Sequence, residues 1–312
     1  MKKKILILGS TGLIGHQIHH LLSRDSKYEI IDIAYRNKLH AGTLLLDIMD
    51  EKVLNSEIIR LEPDYVINCV GTLIKESASD PELAIYTNSI LPHKLKNICN
   101  SLSIKLMHMS TDCVFSGKNK EPYREADLKD GLDVYAKTKA IGEIIEDNHL
   151  TLRTSVIGPE LKEDGEQLFN WFMSEKGEVE GFSDAIWSGV TSLELAKGVN
   201  WAIENDICGL YQLTNGLPIS KNEVLKLFKK YTNKKISIRP ISGINIDKSF
   251  IDTRKLINYP IPTYEEMISN LPQDHFFISN LVIFHDCLIN IAFFKRLFIE
   301  HPLLVLLDGT SH

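Results

Sequence analysis

The chain has 312 residues, of which 44% are hydrophobic and 24% charged, the balance of a folded protein with one large or two modest domains. Its 35 basic against 41 acidic side chains give a net charge of −6, which disfavours binding to the nucleic-acid backbone. The five cysteines lack the close pairing of zinc or dithiol sites, and glycine interrupts the short apolar run at the N-terminus. We therefore expect a cytoplasmic protein with reduced thiols, no metal and no nucleic-acid partner.

Apolar strands alternate with helical patterns along the first half of the chain. A buried strand is predicted at 4–8, and the further strands at 28–35, 63–70, 105–109 and 150–154. Helices are predicted at 50–61, 83–102 and 135–147, besides the one that follows the first strand. This alternation implies right-handed crossovers and a parallel sheet covered on both faces, which is an α/β fold.

The alternation of strands and helices ends beyond Gly158, where a polar stretch is followed by an aromatic segment. A helix at 192–205 and a strand at 209–214 follow, and then one helix with short extended pieces from 220 to about 270. We predict a first domain at 1–160 with a return segment at about 186–216. A smaller α/β substrate-binding region comprises 161–185 and 217–274.

The tail at 275–312 is rich in large apolar residues, but Asn280, His285, Asp286 and Asn290 interrupt it. A charge at the centre of a membrane helix costs about 2.5 to 3.5 kcal/mol, so the segment is a poor transmembrane candidate. We expect an atypical, poorly ordered tail, such as a shifted reading frame would produce, over a helix packed on the body or a partner. Membrane contact is the least favoured alternative.

A glycine turn directly follows the first strand, in the sequence GSTGLIG. The first glycine permits a tight turn, the second a close approach to a pyrophosphate, and the third close packing of helix on sheet. Main-chain N–H groups and the positive helix end would receive the phosphates. The first domain is therefore predicted to bind NAD(P) through Gly9, Thr11, Gly12, Leu13, Ile14 and Gly15.

The residue at the end of the second strand indicates the preference between NADH and NADPH, and here Arg36 replaces the usual ribose-binding carboxylate. Arg36 could pair with a 2′-phosphate, which favours NADPH and leaves NADH open. Asp32 lies inside the strand and is less suited to reach the ribose. Asp47 could meet the adenine edge, and Asp50 beside it could instead cap a helix.

A phenol and an ammonium group stand four residues apart at Tyr135 and Lys139, on one helix face. A tyrosine with a pKa near 10 is a poor acid or base at neutral pH unless a cation stabilises its phenolate, and Lys139 could do so while binding the cofactor ribose. Thr111 follows a strand at the carboxyl end of the sheet, where open α/β folds bind ligands. We predict these three as catalytic residues.

These motifs resemble the extended short-chain dehydrogenase/reductase superfamily, and within it the dTDP-4-dehydrorhamnose reductase family of sugar-nucleotide enzymes. The resemblance runs from residue 4 to about 216, and more weakly to about 270, through GSTGLIG, PDYVINCVG, DPELAIYTNS, MSTDCVFSGKNKEPYREAD, YAKTKAIGE and LRTSVIG. It implies a Rossmann-type doubly wound sheet with catalytic Thr111, Tyr135 and Lys139. It also implies cofactor contacts at Gly9, Gly12, Gly15 and Asp47, and reduction of a 4-keto group on a nucleotide-linked deoxysugar.

The chain departs from the family pattern at Cys113, where a second aromatic is usual, and in GVTS, which lacks a common proline. These departures favour a sister branch acting on a different NDP-sugar, such as an N-acetylated one in surface-polysaccharide assembly. A homodimer is left open.

Two alternatives compete with a reductase. A dehydratase of this superfamily commonly carries Asp-Glu after the threonine, whereas here Cys113 follows Asp112, and a neutral thiol is a weak base. An epimerase would recycle its cofactor rather than consume it. A non-catalytic regulatory subunit would have no chemical need for Thr111, Tyr135 and Lys139 together.

For several further residues, the sequence allows both a structural and a functional role. His16, His19 and His20 share a helix without a third metal ligand in view, so a surface or packing role is favoured. Arg153 could neutralise a buried carboxylate or approach substrate, and Asn88 could order the active site or cap a helix. Pocket and core roles are equally open for Trp171, Phe172, Phe182 and Trp187, and the candidate diphosphate ligands are Lys221, Lys248 and Arg254.

Overall fold

The structure is a computed structural model that describes residues 2–146, 148–162, 165, 167–253 and 259–271. The predicted tail at 275–312 lies outside these residues, as do Arg254 and Cys287. Within the described residues, no helix combines the length and apolarity needed to cross a bilayer.

The strands of the described residues share a mostly parallel arrangement. They are β1 (Lys3–Leu8), β2 (Tyr28–Ala34), β3 (Leu44–Leu45), β4 (Tyr65–Asn68), β5 (Lys105–Thr111), β6 (Leu150–Thr154), β7 (Val156–Ile157), β8 (Glu178–Phe182), β9 (Ala185–Trp187), β10 (Val190–Thr191), β11 (Gly209–Gln212), β12 (Ile219–Ser220), β13 (Ser237–Ile241) and β14 (Ile246–Asp247).

The helices alternate with these strands along the chain. They are α1 (Gly15–Leu22), α2 (Glu51–Leu61), α3 (Ile74–Ser79), α4 (Pro81–Ala84), α5 (Leu91–Leu102), α6 (Val134–Ile141), α7 (Leu168–Ser174), α8 (Ser192–Glu204), α9 (Lys221–Thr232) and α10 (Tyr264–Ser269). A π-helical segment (Ile85–Ile90) joins α4 to α5, and a 3₁₀ turn (Asp112–Val114) follows β5.

The central sheet has seven strands in the order β3-β2-β1-β4-β5-β6-β11, and every neighbouring pair is parallel. The chain builds outward from β1 in one direction and then returns to build in the other. The switch in direction lies between β1 and β4, which is where doubly wound folds open a ligand crevice. The predicted Rossmann-type α/β fold is confirmed.

The sheet is buried on both faces, as its continuous apolar strands require. Ile5 and Ile7 of β1 pack in one apolar cluster, while the alternating Leu6 and Leu8 pack in a second. The first cluster continues to the aromatic rings of Phe172 on α7 and Phe228 on α9.

Smaller sheets are built from the segments that follow β6. β9 pairs with β12 and β14, and β8 pairs with β13. Only β11 among the strands after β10 joins the central sheet. The boundaries of a separate substrate-binding domain remain a prediction.

Two predicted helices differ from the observed ones, and some observed helices were not expected. The continuous helix at 83–102 is wrong, because the π-helical segment interrupts it. The helix predicted to 147 ends at Ile141, since Glu143 is drawn into a buried ion pair with Arg153. A second helix, α10, was not expected in 220–270, although Thr263 and Glu266 form the capping box that marks its start.

Candidate active site

The carboxyl ends of β1, β4 and β5 meet at the switch in strand direction, and the predicted site residues lie there. Gly9 follows β1 with φ +81°, a conformation that favours glycine. A Cβ on Gly9 would lie 3.2 Å from the backbone of Cys69 and Val70 after β4. The first glycine therefore permits both the turn and the close approach of two strand ends.

The rest of the glycine turn is held by short hydrogen bonds. The N–H of Gly12 donates to the Gly9 carbonyl (3.1 Å), and a Cβ on Gly15 would collide with that same carbonyl. Gly12 is exposed, and Thr11, Leu13 and Ile14 are half-buried around it. Within the described residues, no side chain caps α1, so its positive end is available to an anionic group.

Asp32 lies beneath this turn and is 1% exposed. One of its carboxylate oxygens accepts from the Ser10 hydroxyl (2.5 Å), and the other bonds His40 Nε2 (2.9 Å). Asp32 therefore ties the glycine turn to the segment after β2, a positioning role that sequence spacing did not reveal. Arg36 is exposed, with its guanidinium 4.9 Å from the ring centroid of Tyr35.

Asp47 and Asp50 follow β3 on the exposed surface. The Asp47 carboxylate accepts from the N–H of Met49 (2.9 Å). Asp50 caps α2 by accepting from the N–H of Val53 (3.1 Å), so its alternative capping role is confirmed. The contact of Asp47 with adenine stays a prediction.

His19, Asp32 and His40 form a cluster whose polar atoms lie within 4.8 Å of one another. Asp32 and His40 correct the expectation that the helix histidines lack further potential ligands, since the segment after β2 brings His40 over α1. The N–H of Gly42 donates to His40 Nδ1 (3.1 Å), so a neutral ring carries its proton on Nε2 and donates it to Asp32. A metal ligand needs a lone pair at that atom, so the arrangement suits a hydrogen-bonded cluster better than a cation.

Tyr135 lies in the first turn of α6, which begins where Asp133 accepts from the N–H of Ala136 (2.7 Å). Its phenol shares a hydrogen bond with the Thr111 hydroxyl at the end of β5. Burial raises the pKa of Tyr135 well above its usual range, and the Thr111 bond opposes this shift only in part. Burial thus dominates this pKa in the protein alone, and stabilisation of the phenolate by Lys139 stays a prediction.

Lys139 is 5% exposed, and its ammonium group donates to the Met109 carbonyl (2.6 Å). Burial lowers the pKa of Lys139 to about 8, although Glu143 and Cys69 oppose this shift. A Cβ on Gly71 would lie 4.0 Å from the Lys139 Nζ, so the ammonium group reaches the segment after β4. The structure thus brings Lys139 to the same strand ends as the glycine turn.

Thr111 is the last residue of β5, which extends two residues beyond the predicted strand. Its hydroxyl accepts from the N–H of Cys113 (3.2 Å) and donates to the Asp112 carboxylate (3.2 Å). Thr111 and Tyr135 are therefore in contact, with Asp112 and Cys113 beside them, and Lys139 bonds the carbonyl of Met109, two residues before Thr111.

Asn88 and Arg153 resolve to one interpretation each. Within the π-helical segment, the Asn88 amide accepts from the N–H of Thr72 (2.9 Å) and donates to the Thr138 hydroxyl (3.2 Å). It thereby orders the segment after β4 against α6, rather than capping a helix. Arg153 binds Glu143 through two hydrogen bonds of 2.7 Å, so it neutralises a buried carboxylate.

The aromatic residues after Gly158 mostly belong to the core. Phe172 is fully buried and Trp187 is 1% exposed, whereas Trp171 and Phe182 are half-buried.

Among the cysteines that the structure describes, Cys69, Cys99, Cys113 and Cys208 are free thiols.

Comparison with known proteins identifies a family and several relatives of this chain. The family described as RmlD substrate binding domain matches residues 2–248. The dTDP-4-dehydrorhamnose reductase of Salmonella typhimurium is 31% identical over 156 residues, which are 48% of this chain and 50% of that protein. The protein of the same name from Shigella flexneri is 22% identical over 282 residues, which are 87% of this chain and 90% of that protein.

A crystal structure of the Bacillus anthracis dTDP-4-dehydrorhamnose reductase in complex with NADP has the same fold. Its TM-score is 0.76 at 23% identity, over 88% of this chain and 100% of that one. The chain spans about half the length of the first three curated relatives that it matches. The family match covers most of the chain and agrees with the resemblance in the motifs, and the chain therefore belongs to the RmlD substrate-binding-domain family.

Proposed function

We propose that this protein reduces the 4-keto group of a nucleotide-linked deoxysugar, using NADPH or NADH, in surface-polysaccharide or deoxysugar biosynthesis. The observation that carries the proposal is the hydrogen bond of Tyr135 with Thr111, together with Lys139, which bonds the Met109 carbonyl of the same strand and lies near Gly71 in the segment after β4. The names of the relatives from Salmonella typhimurium and Shigella flexneri support the same reaction class.

The glycine turn fits a dinucleotide. Gly12 is exposed, Gly15 has no room for a Cβ, and the uncapped start of α1 faces the turn. Gly9, Gly12 and Gly15 would admit the pyrophosphate, with the main chain of Thr11, Leu13 and Ile14 around it. When bound, the reduced nicotinamide supplies the hydride for the reduction.

Tyr135 holds the proton that a ketone reduction consumes. Because burial raises its pKa, the phenol is protonated at neutral pH, which is the form required of a general acid. The Thr111 hydroxyl, hydrogen-bonded to the phenol, would orient the substrate oxygen. Lys139 would place a positive charge behind both groups and favour the phenolate left after proton transfer.

We propose that Arg36 selects NADPH. It is exposed at the end of β2, while both Asp32 oxygens are already bonded beneath the turn. Arg36→Ala is expected to weaken NADPH binding about tenfold and NADH binding by less than about twofold, because only NADPH carries the 2′-phosphate. Equal losses for the two cofactors in fluorescence titrations would contradict this selection.

A dehydratase is less well supported than a reductase by the same site. Burial, with a contribution from Asp112, raises the pKa of Cys113 to about 12, so the residue after Asp112 is a neutral thiol and not a carboxylate base. An epimerase is chemically close, since solved epimerases share this fold, and the Thermus thermophilus enzyme was solved with NAD.

The deciding experiment incubates the protein with a panel of NDP-4-keto-6-deoxy sugars, N-acetylated ones included, and follows the absorbance of NADPH and NADH. Stoichiometric loss of reduced cofactor, with formation of the 4-hydroxy sugar, is expected. Product without net cofactor loss would indicate an epimerase. Tight cofactor binding without turnover on any sugar would indicate a regulatory subunit.

A further inference from the structure

We propose that Glu143 is a positioning residue for the reduction, which supplies the counter-charge of Lys139 and ties the end of α6 to the end of β5. Its role in the reaction rests on the proposed function, whereas the coupling of the two side chains rests on the contacts between these elements.

The last three residues of β5 each bond a side chain that lies on α6 or directly after it. Thr111 bonds Tyr135, the Met109 carbonyl accepts from Lys139 (2.6 Å), and the Ser110 hydroxyl donates to Glu143 (2.7 Å). The three partners follow one another at intervals of four residues, the spacing of one helix face. The bond of Ser110 to Glu143 therefore belongs to the same series of contacts that brings Tyr135 and Lys139 to the site.

Glu143 is held firmly in this place, and its side chain has no exposed surface. Arg153 of β6 donates to both carboxylate oxygens at 2.7 Å, and Lys129 donates to one of them at 3.0 Å. Burial alone would raise the pKa of Glu143, but the bonds from Arg153 and its other partners lower this pKa below its usual range. Glu143 is therefore a fixed, charged carboxylate at neutral pH.

Three other titratable groups around Lys139 are neutral at pH 7. Burial raises the pKa of Cys69, in the segment after β4, to about 12, and it lowers that of His108 on β5 well below its usual range. Burial also keeps the phenol of Tyr135 protonated. Glu143 is the carboxylate whose charge opposes the lowering of the Lys139 pKa by burial.

A buried cation with a fixed counter-charge keeps its proton to a higher pH than one without. In the proposed reduction, Lys139 has to be charged when Tyr135 becomes a phenolate. Glu143 extends the pH range in which this condition is met. It acts on the reaction through Lys139, which makes it a positioning residue.

The test measures the pKa of Lys139 directly, by NMR titration of the full chain labelled with [¹³Cε]lysine, without cofactor. The resonance that is missing from Lys139→Arg identifies Lys139. Glu143→Gln is expected to lower this pKa by about one unit, because the buried cation loses a fixed negative charge. The alkaline fall of kcat/KM should move to lower pH by the same amount.

A second variant leaves the buried pair of Glu143 and Arg153 intact. Lys129→Met removes a cation that bonds the Glu143 carboxylate, so it should raise the pKa of Lys139 by about 0.2 to 0.5 unit. The matched control is Lys137→Met, which removes the same charge from an exposed position on α6.

A Lys139 pKa in Glu143→Gln equal to that in Lys137→Met would overturn the proposal. If Glu143→Gln does not fold, the value in Lys129→Met decides, and a value equal to that of the control overturns it. A lowered pKa with an unshifted kcat/KM profile would remove Glu143 from the reaction. A lowered pKa in a protein whose wild type consumes no NADPH on any keto-sugar would refute the reductase proposal and leave the coupling standing.

Discussion

The pKa values of Tyr135 and Lys139 move in opposite directions for one physical reason. Burial disfavours charge, so it raises the pKa of the phenol and lowers that of the ammonium group to about 8. At neutral pH the phenol is protonated and most of Lys139 is charged. This pair of states suits a site that must give up a proton and then stabilise the anion that remains.

Tyr135→Phe is expected to lower kcat by about 10² to 10⁴, because the ring keeps its packing while the only proposed proton donor is lost. Dissociation constants for NADPH should stay within about twofold of the wild-type value. The matched control is Tyr231→Phe on α9, which removes a hydroxyl that donates to Glu265 of α10 (2.8 Å). Full turnover in Tyr135→Phe would remove that residue from its proposed role.

The lowered pKa of Lys139 predicts that activity falls at alkaline pH. Since its pKa is lowered to about 8 by burial, the ammonium group loses its proton as the pH rises through that value. The ratio kcat/KM should then fall about tenfold for each further pH unit. Lys139→Arg stays charged throughout, so any activity it retains should lack this limit. A flat wild-type profile up to about pH 10 would contradict the assignment.

The three predicted catalytic residues could be found from sequence because each lies at a fixed offset within its own element. Thr111 ends a strand, and Tyr135 and Lys139 share one helix face. The contacts of Asp32 with Ser10 and His40 could not be found in this way. They join segments that meet only after the sheet has formed, and no periodicity records them.

At the scale of elements, six of the seven strands of the central sheet were predicted closely, whereas β3 and the helix interruptions were not. Continuous apolar runs fix a buried strand, whereas a π-helical segment has no distinctive composition. Here the interruption coincides with a tight approach of α6, because a Cβ on Gly142 would collide with the Asn88 carbonyl. The π-helical segment interrupts the α-helical hydrogen bonding at the place where the Asn88 amide bonds Thr72 and Thr138.

The ion pair of Glu143 and Arg153 joins the end of α6 to β6, and both side chains are at most 1% exposed. Glu143→Gln should lower the free energy of unfolding by about 3 to 5 kcal/mol, because it leaves the buried Arg153 guanidinium without its carboxylate. Arg153→Met should cost less than Glu143→Gln but more than about 1 kcal/mol, because Lys129 (3.0 Å) and Ser110 (2.7 Å) still bond to Glu143. The double variant should recover part of this loss. Urea denaturation measures both effects.

The exposed pair of Arg60 and Glu57 on α2 provides the control for that experiment. Arg60→Ala should cost less than about 1 kcal/mol, since water screens the pair. A cost for Arg153→Met as small as that of Arg60→Ala would show that the buried pair does not hold α6 against β6.

At the scale of the whole molecule, the sheet buries histidines as well as apolar side chains. His16 of α1 is 2% exposed and donates from Nδ1 to the Gly12 carbonyl (2.8 Å), and His108 of β5 is fully buried beside Asn68. Burial lowers the pKa of both imidazoles, that of His16 to about 4. The folded protein therefore keeps them neutral at pH values where the unfolded chain protonates them.

This difference predicts a loss of stability in acid. The unfolded chain binds a proton at His16 near pH 6.5, while the folded chain does so only near 4, so stability is full above about 6.5 and falls as the pH drops towards 4. The lowering at His16 alone corresponds to about 3 kcal/mol. His16→Gln retains a donor for the Gly12 carbonyl but does not titrate. Between about pH 7.5 and 4.5, urea unfolding should therefore show a smaller loss for this variant than for the wild type, and equal losses would show that His16 is not the source.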